Sequence, residues 1–144
     1  MTIELIVTNY QDHQEELSRV RKAVFVAEQN VPEEIEYDDR DAICQHVLIR
    51  VDGQAAATGR IDIEKQGKVG RVAVLPSLRQ HNLGRQVMDA LEQLARDAKL
   101  PKIWFHAQLS AVGFYQRLGY DVVGDDFLEA GIVHRKMEKK IATI

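Results

Sequence analysis

The sequence has 144 residues, of which 45% are hydrophobic and 28% are charged, and its formal net charge is −3. A chain of this length and composition folds as one globular domain with a substantial core, here residues 1–144, and its acidic balance excludes a general nucleic-acid binder. No apolar run reaches the ~20 residues of a membrane span, no signal peptide opens the sequence, and the single Cys44 cannot form an internal disulfide, so we expect a cytoplasmic protein without a membrane segment.

The first half of the chain predicts a strand, a helix and a hairpin. Leu17, Val20 and Val24 recur at helical spacing and would face the core. Asp52-Gly53, which stands between two apolar runs, is a strong hairpin signal. The predicted elements are a strand at Ile3–Thr8, a helix opened by Asp12 or His13 that also turns Phe25 inward, an acidic loop or irregular helix at Glu28–Asp41 interrupted by Pro32, and hairpin strands at His46–Val51 and Ala55–Ile63.

The second half predicts alternating strands and helices. Leu83, Val87, Leu91 and Leu94 recur at spacings of four, four and three, which places them on one helical face. Antiparallel strands early and a strand–helix–strand unit later indicate a mixed sheet in an α/β (α+β) fold. The predicted elements are a strand at Val69–Leu75, the helix that starts at Leu83, a strand at Lys102–Ala107 after Pro101, a short helix at Ala111–Leu118 ended by Gly119, and strands near Tyr120–Val123 and Gly131–Met137.

The loop before the helix at Leu83 is a candidate anion site. Residues Arg79–Gly84 lie at a helix N-terminus, where four backbone N–H groups lack helical partners and the helix dipole adds about half a positive charge. A diphosphate fits such a site, so strand, loop and helix together indicate a phosphate-bearing ligand. A loop that merely connects the strand to the helix is the alternative.

The strand before this loop offers a second contact for an extended ligand. Pro76 has no backbone donor and ends the pairing of the strand. If the strand diverges from its neighbour, the N–H and C=O groups of Val72–Val74 become available to an amide-bearing ligand arm. Such an arm would pair with them as an added strand does.

Residues 68–97 resemble motif A of the GCN5-related N-acetyltransferases (the GNAT family), which bind acetyl-CoA. The family pattern is Arg/Gln-x-x-Gly-x-Gly/Ala, and the run from Arg79 to Gly84 matches it except at Asn82, where glycine is usual. Asparagine tolerates the left-handed conformation better than most residues, so the loop geometry can be kept. The resemblance implies acetyl-CoA as cosubstrate, with Val72, Ala73 and Val74 on the pantetheine arm and Arg79, Gln80, His81, Asn82, Leu83, Gly84 and Arg85 at the diphosphate. Gln108, which follows the predicted strand at residues 102–107, either contacts the pantetheine or the short helix or has a purely structural role.

Three further segments resemble the same family. Ala111–Tyr120 looks like motif B, in which a short helix carries a Phe-Tyr pair and ends in Leu-Gly-Phe/Tyr. The runs Arg21–Pro32 and Phe127–His134 resemble a subgroup of small single-domain bacterial proteins similar to ElaA and YjcF. The resemblance implies a mostly antiparallel mixed twisted sheet of six to seven strands, splayed at the fourth and fifth strands, with about four helices. Because the family often forms dimers, a homodimer is one expectation.

The resemblance also places Tyr115 near the coenzyme sulfur as a general acid. A phenol of pKa about 10 gives its proton uphill to a thiolate of pKa about 8.5, by roughly 2 kcal/mol, so Tyr115 would mainly hydrogen-bond the leaving sulfur. A backbone N–H of Val72 or Ala73 would stabilise the developing oxyanion, a contribution typically of about 10²–10³-fold. The alternative for Tyr115 is a core residue packed beside Phe114.

The general base is open among three residues of the subgroup-like segments: Glu28, Glu129 and His134. An alkyl amine of pKa about 10.4 is only about 0.1% neutral near pH 7.4, a cost of around 4 kcal/mol that a base would offset. Each candidate could instead bind substrate or stabilise a loop. We expect His46 and His106 in their strands to be structural, and Cys44 to be an incidental thiol because it lies outside the cofactor motifs. No Cys/His cluster has zinc spacing, so no metal ligand is expected.

The sequence leaves the acceptor open. The acidic stretch Glu33–Asp39 would attract a cationic amine or is only a solvated loop, whereas Arg21, Arg60 and Arg71 would receive an anionic group. The preferred function is an acetyl-CoA-dependent N-acetyltransferase that acts on a small-molecule or protein amine by direct transfer in a ternary complex. The alternatives are a non-catalytic acyl-CoA-binding or sensing module and a generic nucleotide-binding domain, for which ATP would compete as well as coenzyme A.

Overall fold

Seven strands form a single mixed sheet in the computed structural model, which describes residues 1–33 and 38–141. The strands are β1 (Ile3–Thr8), β2 (Gln45–Val51), β3 (Gln54–Asp62), β4 (Lys68–Val74), β5 (Lys102–Gln108), β6 (Asp121–Glu129) and β7 (Ile132–Lys140). Their spatial order is β1-β2-β3-β4-β5-β7-β6. Every neighbouring pair is antiparallel except β4 and β5, which are parallel.

Three α-helices lie in the described residues: α1 (Gln14–Arg21), α2 (Leu83–Asp97) and α3 (Val112–Arg117). The chain continues from α1 into a π-helical segment at Lys22–Glu28. The predicted acidic segment Glu28–Asp41 therefore begins at a π-helical end, and its residues 34–37 lie outside the described residues. None of the described helices is long and apolar enough to cross a membrane.

Helices α2 and α1 each bury the face that their sequence predicts. Leu83, Val87 and Leu91 are fully buried in a large apolar cluster against the sheet. Leu17 and Val20 are fully buried in a second cluster, and alternate residues of β2 belong to one cluster or the other. Because successive strand side chains point to opposite faces, the two helices cover opposite faces of the sheet.

The two parallel strands are neighbours over only two residue pairs. Lys68 pairs with Trp104, Val69 pairs with Phe105, and β4 and β5 have no paired residues beyond that point. The predicted splay between the fourth and fifth strands is therefore confirmed.

A β-bulge bends β4 where the divergence begins. Arg71 and Val72 together lie opposite the single residue Gly59 of β3, the two-against-one pairing that bends a strand. Arg71 has a φ of 50°, a left-handed conformation that costs a non-glycine residue about 1 kcal/mol or more. A Cβ at Gly59 would lie 2.7 Å from Val87 of α2. A side chain at position 59 would therefore prevent the close approach of α2 to the bulge, and glycine allows it.

The predicted mixed fold is confirmed, but the last hairpin is longer than predicted. We predict a strand near Tyr120–Val123, and Gly124 and the two aspartates that follow this strand locally favour a turn. In the structure a register shift opposite β7 accommodates these residues within β6, which is exposed along most of its length. The turn instead lies at Ala130 and Gly131, which have φ of 52° and 75°, and β7 likewise extends beyond its predicted end.

A buried ion-pair network connects the end of the acidic segment to the sheet. Arg21 and Asp41 are both fully buried and form two hydrogen bonds of 2.7 and 2.9 Å. Arg60 of β3 donates to Asp41 at 2.8 Å and to Asp38 at 2.6 Å. Carboxylates of the chain itself bind both guanidinium groups, and this disfavours the alternative that Arg21 and Arg60 receive an anionic ligand.

The arginines keep these carboxylates ionised. Burial alone would raise the pKa of Asp38, but hydrogen bonds and charge from Arg60 outweigh burial and lower the pKa to about 2. Burial also opposes ionisation of Asp41, and Arg21 and Arg60 together still lower its pKa. A carboxylate whose folded-state pKa is lowered stabilises the fold above its unfolded pKa of about 3.9, and this stabilisation is lost as the pH falls through the folded-state pKa.

Asp41→Asn should lower the free energy of unfolding by about 3–5 kcal/mol, because it leaves Arg21 and Arg60 buried beside a neutral amide. Glu138→Gln, which breaks the more exposed pair with Lys102, is the control and should change the free energy by less than about 1 kcal/mol. Urea unfolding at neutral pH measures both.

The wild-type protein should lose stability between about pH 4 and pH 2, and Asp41→Asn should lose less over that interval. Equal destabilisation by the Asp41 and Glu138 substitutions at neutral pH would contradict a stabilising role for the buried network.

Candidate functional site

The divergence of β4 from β5 opens a cleft of about 410 Å³. Val69–Val72 of β4 line one side, and Phe105–Gln108 of β5 line the other. Tyr115 and Phe105 belong to the core cluster on the α2 face of the sheet. The side chain of His106, the next residue of β5, points to the opposite face, so the cleft reaches both faces of the sheet. Its other lining residues include Phe25 and Gln29 after α1, Asp38, Lys68 and, from the β6–β7 hairpin, Glu129, Ile132 and His134.

The N–H and C=O groups of successive β4 residues point alternately toward β3 and toward the cleft. Leu75 donates its N–H to β3 at 2.9 Å, so Leu75 and Ala73 turn their main-chain groups toward β3 and Val74 turns away. Nε of Arg79 donates to the carbonyl of Val74 at 3.0 Å, which fits this orientation. Ala73, a predicted main-chain ligand contact, thus faces β3, while Val74 faces the open edge and Val72 lines the cleft.

The N-terminus of α2 has no cap among the described side chains. Asn82 adopts the left-handed conformation, with φ 59° and ψ 22°, where the family pattern has glycine, and no acidic residue lies in the first helical turn. Gln86 donates to the carbonyl of Asn82 at 3.1 Å, so the N–H groups of Leu83, Gly84 and Arg85 have no helical partner. These groups and the helix dipole favour an anion at this end.

Helix α3 places Tyr115 beside the cleft. A Cβ at Gly84 would lie only 3.0 Å from the ring of Phe114, so the glycine allows α3 to pack against the start of α2. The ring of Tyr115 lies 4.5 Å from that of Phe105, centroid to centroid. Burial raises the pKa of Tyr115, so its phenol stays protonated at neutral pH. Tyr115 lines the cleft, and its hydroxyl has no hydrogen-bond partner among the described residues.

Two side-chain pairs connect the end of the π-helical segment to the walls of the cleft. The carboxylate of Glu28 accepts two hydrogen bonds from Arg79, at 2.6 and 2.7 Å, and these bonds lower the pKa of Glu28. The amide of Gln108 on β5 donates to Gln29 at 2.6 Å. Glu28 therefore binds the loop before α2 rather than lining the cleft.

A carboxylate and two imidazoles meet on the other side of the cleft. Nδ1 of His106 lies 3.0 Å from Glu129, and Nε2 of His134 lies 3.7 Å from the other oxygen of that carboxylate. Nδ1 of His134 lies 2.7 Å from the carbonyl oxygen of Ile132, which fixes the imidazole ring. The ring of Phe127 packs against both imidazoles, at 4.8 and 6.0 Å between centroids. We call Glu129, His106 and His134 the acid–imidazole cluster.

The predicted site residues fall into three groups. Those that line the cleft are Val72, Gln108, Tyr115, Glu129 and His134. Those beside it are Glu28, Arg79 and Val74, which are joined by hydrogen bonds, and Ala73, which faces β3. Those of the loop and helix start are Gln80, His81, Asn82 and Arg85, which are exposed, Gly84, which is half-buried, and Leu83, which is buried in the core.

Two residues that we expect to be incidental lie in the core. Burial raises the pKa of the Cys44 thiol to about 11, which disfavours the reactive thiolate. Nε2 of His46 lies 2.9 Å from the carbonyl oxygen of Asp41 in a buried contact. Neither residue is among those that line the cleft.

Sequence reasoning misses three residues of the site. We predict a structural role for His106, but the structure places it in the cleft beside Glu129. Alternation along β5 puts His106 on the same face as Gln108, already a candidate, and this signal would have identified it. Gln29 carries no comparable local signal, because it reaches the site from the distant segment after α1. Lys68 lies on β4 itself, the strand of the predicted contacts Val72–Val74.

Comparisons with known proteins agree on one family. A model described as acetyltransferase (GNAT) domain matches residues 8–141. The N-acetyltransferase YjcF of Bacillus subtilis is 34% identical over 139 residues, which cover 95% of this chain and 99% of YjcF. The crystal structure of Escherichia coli ElaA has a TM-score of 0.83 and 26% identity, and that of an acyl-CoA N-acyltransferase from Pseudomonas aeruginosa has a TM-score of 0.84 and 28% identity. Each match covers 96% of this chain and 99% of the other.

Asn82→Val should weaken the binding of coenzyme A and lower the free energy of unfolding by about 1–2 kcal/mol, because a β-branched residue is strained at positive φ. Asn82→Gly is the matched variant and should retain both affinity and stability. Calorimetric titration with coenzyme A and thermal unfolding measure the two effects. Unchanged affinity in Asn82→Val would show that the left-handed loop does not position the anion site.

Proposed function

The chain belongs to the GNAT acetyltransferase family, and from that premise we propose that it moves the acetyl group of acetyl-CoA directly to a primary amine within a ternary complex. Family membership makes it an N-acyltransferase with a CoA-linked acyl donor. The acetyl group, the direct transfer and the residue roles below belong to the proposal. So do the remaining predictions of a cytoplasmic location and a homodimer.

The observation that carries the proposal is the opened edge of β4, followed in the chain by the uncapped N-terminus of α2. An extended thioester with a diphosphate tail needs main-chain partners for its amides and a positive end for its diphosphate. Val74 and the bulge at Val72 supply the first, and Gly84 and Arg85 supply the second. Arg79 would exchange its contacts with Val74 and Glu28 for contacts with the arriving ligand.

Tyr115 supports the leaving thiolate in this proposal. Because burial raises its pKa, the phenol is a poor proton donor to a thiolate of pKa about 8.5, but it remains a hydrogen-bond donor over the whole working pH range. A hydrogen bond to a charged partner contributes about 1.5–3 kcal/mol. Its hydroxyl, which has no partner among the described residues, is available for this bond.

The acid–imidazole cluster is the base that the geometry favours. Glu129 and His134 both line the cleft, where an amine would bind. Glu28 is bound by Arg79 and is not one of the residues that line the cleft. A carboxylate held by His106 attracts an incoming ammonium group, and the cluster takes the proton that the amine must lose before attack. Deprotonating an alkyl ammonium group at neutral pH costs around 4 kcal/mol, and a base that accepts the proton in the complex offsets this cost.

Thiol release from acetyl-CoA across a panel of primary amines tests the function. At least one amine should accelerate thiol release above the rate without amine and yield an acetylated product. Initial-velocity plots against both substrates should intersect, as direct transfer in a ternary complex requires. Binding of coenzyme A without acceleration by any amine would favour an acyl-CoA sensor, and equal competition by ATP would favour a generic nucleotide-binding domain.

Tyr115→Phe should lower kcat by about 10- to 100-fold and leave the affinity for coenzyme A near normal, because it removes a hydrogen bond made to the developing thiolate. Tyr120→Phe is the control, since the Tyr120 hydroxyl donates to buried Glu92 at 2.5 Å and should affect stability but not kcat. Steady-state kinetics with thermal unfolding separates the two. Equal loss of kcat in both variants would assign Tyr115 to packing.

Glu129→Gln should lower kcat/KM for the amine by about 10²-fold or more, because it removes the carboxylate of the proposed base. Glu28→Gln is the comparison, because it releases Arg79 and should act mainly on the KM for acetyl-CoA. If Glu28→Gln lowered kcat/KM for the amine and Glu129→Gln left it unchanged, the role of base would belong to Glu28.

A further inference from the structure

We propose that the acceptor carries an anionic oxygen group, a carboxylate or a phosphate, in addition to its amine, and that Lys68 receives this group in the cleft. The inference rests on the proposed acetyl transfer and names the chemical class of its acceptor. It follows from the placement of charge around the cleft.

Lys68 is a half-buried cation that lines the cleft. Its ammonium group lies 5.4 Å from the centroid of the Trp104 ring, and no described carboxylate forms an ion pair with it. Burial lowers the pKa of Lys68, and the attraction of Glu129 offsets only part of that effect. An anionic group on the cleft side would stabilise the ammonium form and replace the hydration that Lys68 has lost.

Arg71 places a second cation on the same wall. The bulge gives Arg71 its position in β4, and Nη2 lies 3.3 Å from a carboxylate oxygen of Asp38. Arg60 donates to both oxygens of that carboxylate at the shorter distances of 2.6 and 2.8 Å. Arg71 is therefore already bound within the chain, and its guanidinium adds positive charge to the wall that carries Lys68.

Charges of both signs in the cleft match an acceptor that is a zwitterion. Among the described lining residues, Arg40 and Arg60 bind Asp62 and Asp38, whereas the carboxylate of Glu129 forms no ion pair with an arginine or a lysine. An amine held at Glu129 leaves the anionic end of the same acceptor for Lys68 on the β4 wall.

Matched amines that differ only in the anionic group test the inference by thiol release from acetyl-CoA. One pair is γ-aminobutyrate with its amide, and a second is phosphoethanolamine with ethanolamine. The anionic member of at least one pair should have a kcat/KM about tenfold or more higher, since a charge-assisted contact is being made. The pair that shows the preference distinguishes a carboxylate from a phosphate.

Lys68→Met should bring that kcat/KM ratio close to one, and Lys68→Arg should retain it. Lys136→Met is the matched control, because Lys136 also lies over the Trp104 ring, at 4.8 Å, but does not line the cleft, and it should leave the ratio unchanged. Thermal unfolding checks that all three variants are folded.

Turnover without a preference, or a preference that survives Lys68→Met, would overturn the inference and leave acetyl transfer intact. A complete absence of amine-dependent thiol release would overturn the proposed function and the inference with it.

Discussion

The bulge of Arg71 and Val72 opposite Gly59 is the constraint on which the rest of the structure depends. The extra residue bends β4 away from β5 after two residue pairs, and this divergence creates the cleft. Gly59 also lets α2 approach, because any side chain there would collide with Val87. The opened strand and the start of the helix are therefore positioned by one local feature, and a donor that needs both finds them in a fixed relation.

The cleft separates two kinds of charge. On the α2 side, unpaired N–H groups at Gly84 and Arg85 suit the diphosphate of a CoA donor. On the opposite side, the carboxylate of Glu129 lies between two imidazoles and faces cations across the cleft. The deeper ion pair of Arg21 and Asp41 has both partners fully buried and acts on the fold rather than on a ligand.

Sequence patterns predicted what depends on neighbours in the chain and missed what depends on distant segments. The helical face at Leu83 and the turn at Asp52-Gly53 follow from local spacing and residue chemistry. The left-handed Asn82 follows from the resemblance to a motif that has glycine there, and the structure shows all three features. The pair between Glu28 and Arg79 joins residues 51 positions apart, and no local signal indicates it. The extent of β6 was missed for a related reason, since pairing with β7 outweighs the local turn preference of its glycine and aspartates.

The most direct test of the central claim is an amide NMR titration that compares acetyl-CoA with its nucleotide part, 3′-phospho-ADP. If the bulge opens β4 to the pantetheine arm, acetyl-CoA should shift the amide resonances of Val74, Gly84 and Arg85. The nucleotide alone should shift those of Gly84 and Arg85 and leave Val74 unchanged. An unchanged Val74 resonance under saturating acetyl-CoA would mean that the opened strand does not bind the donor, and the account would be wrong.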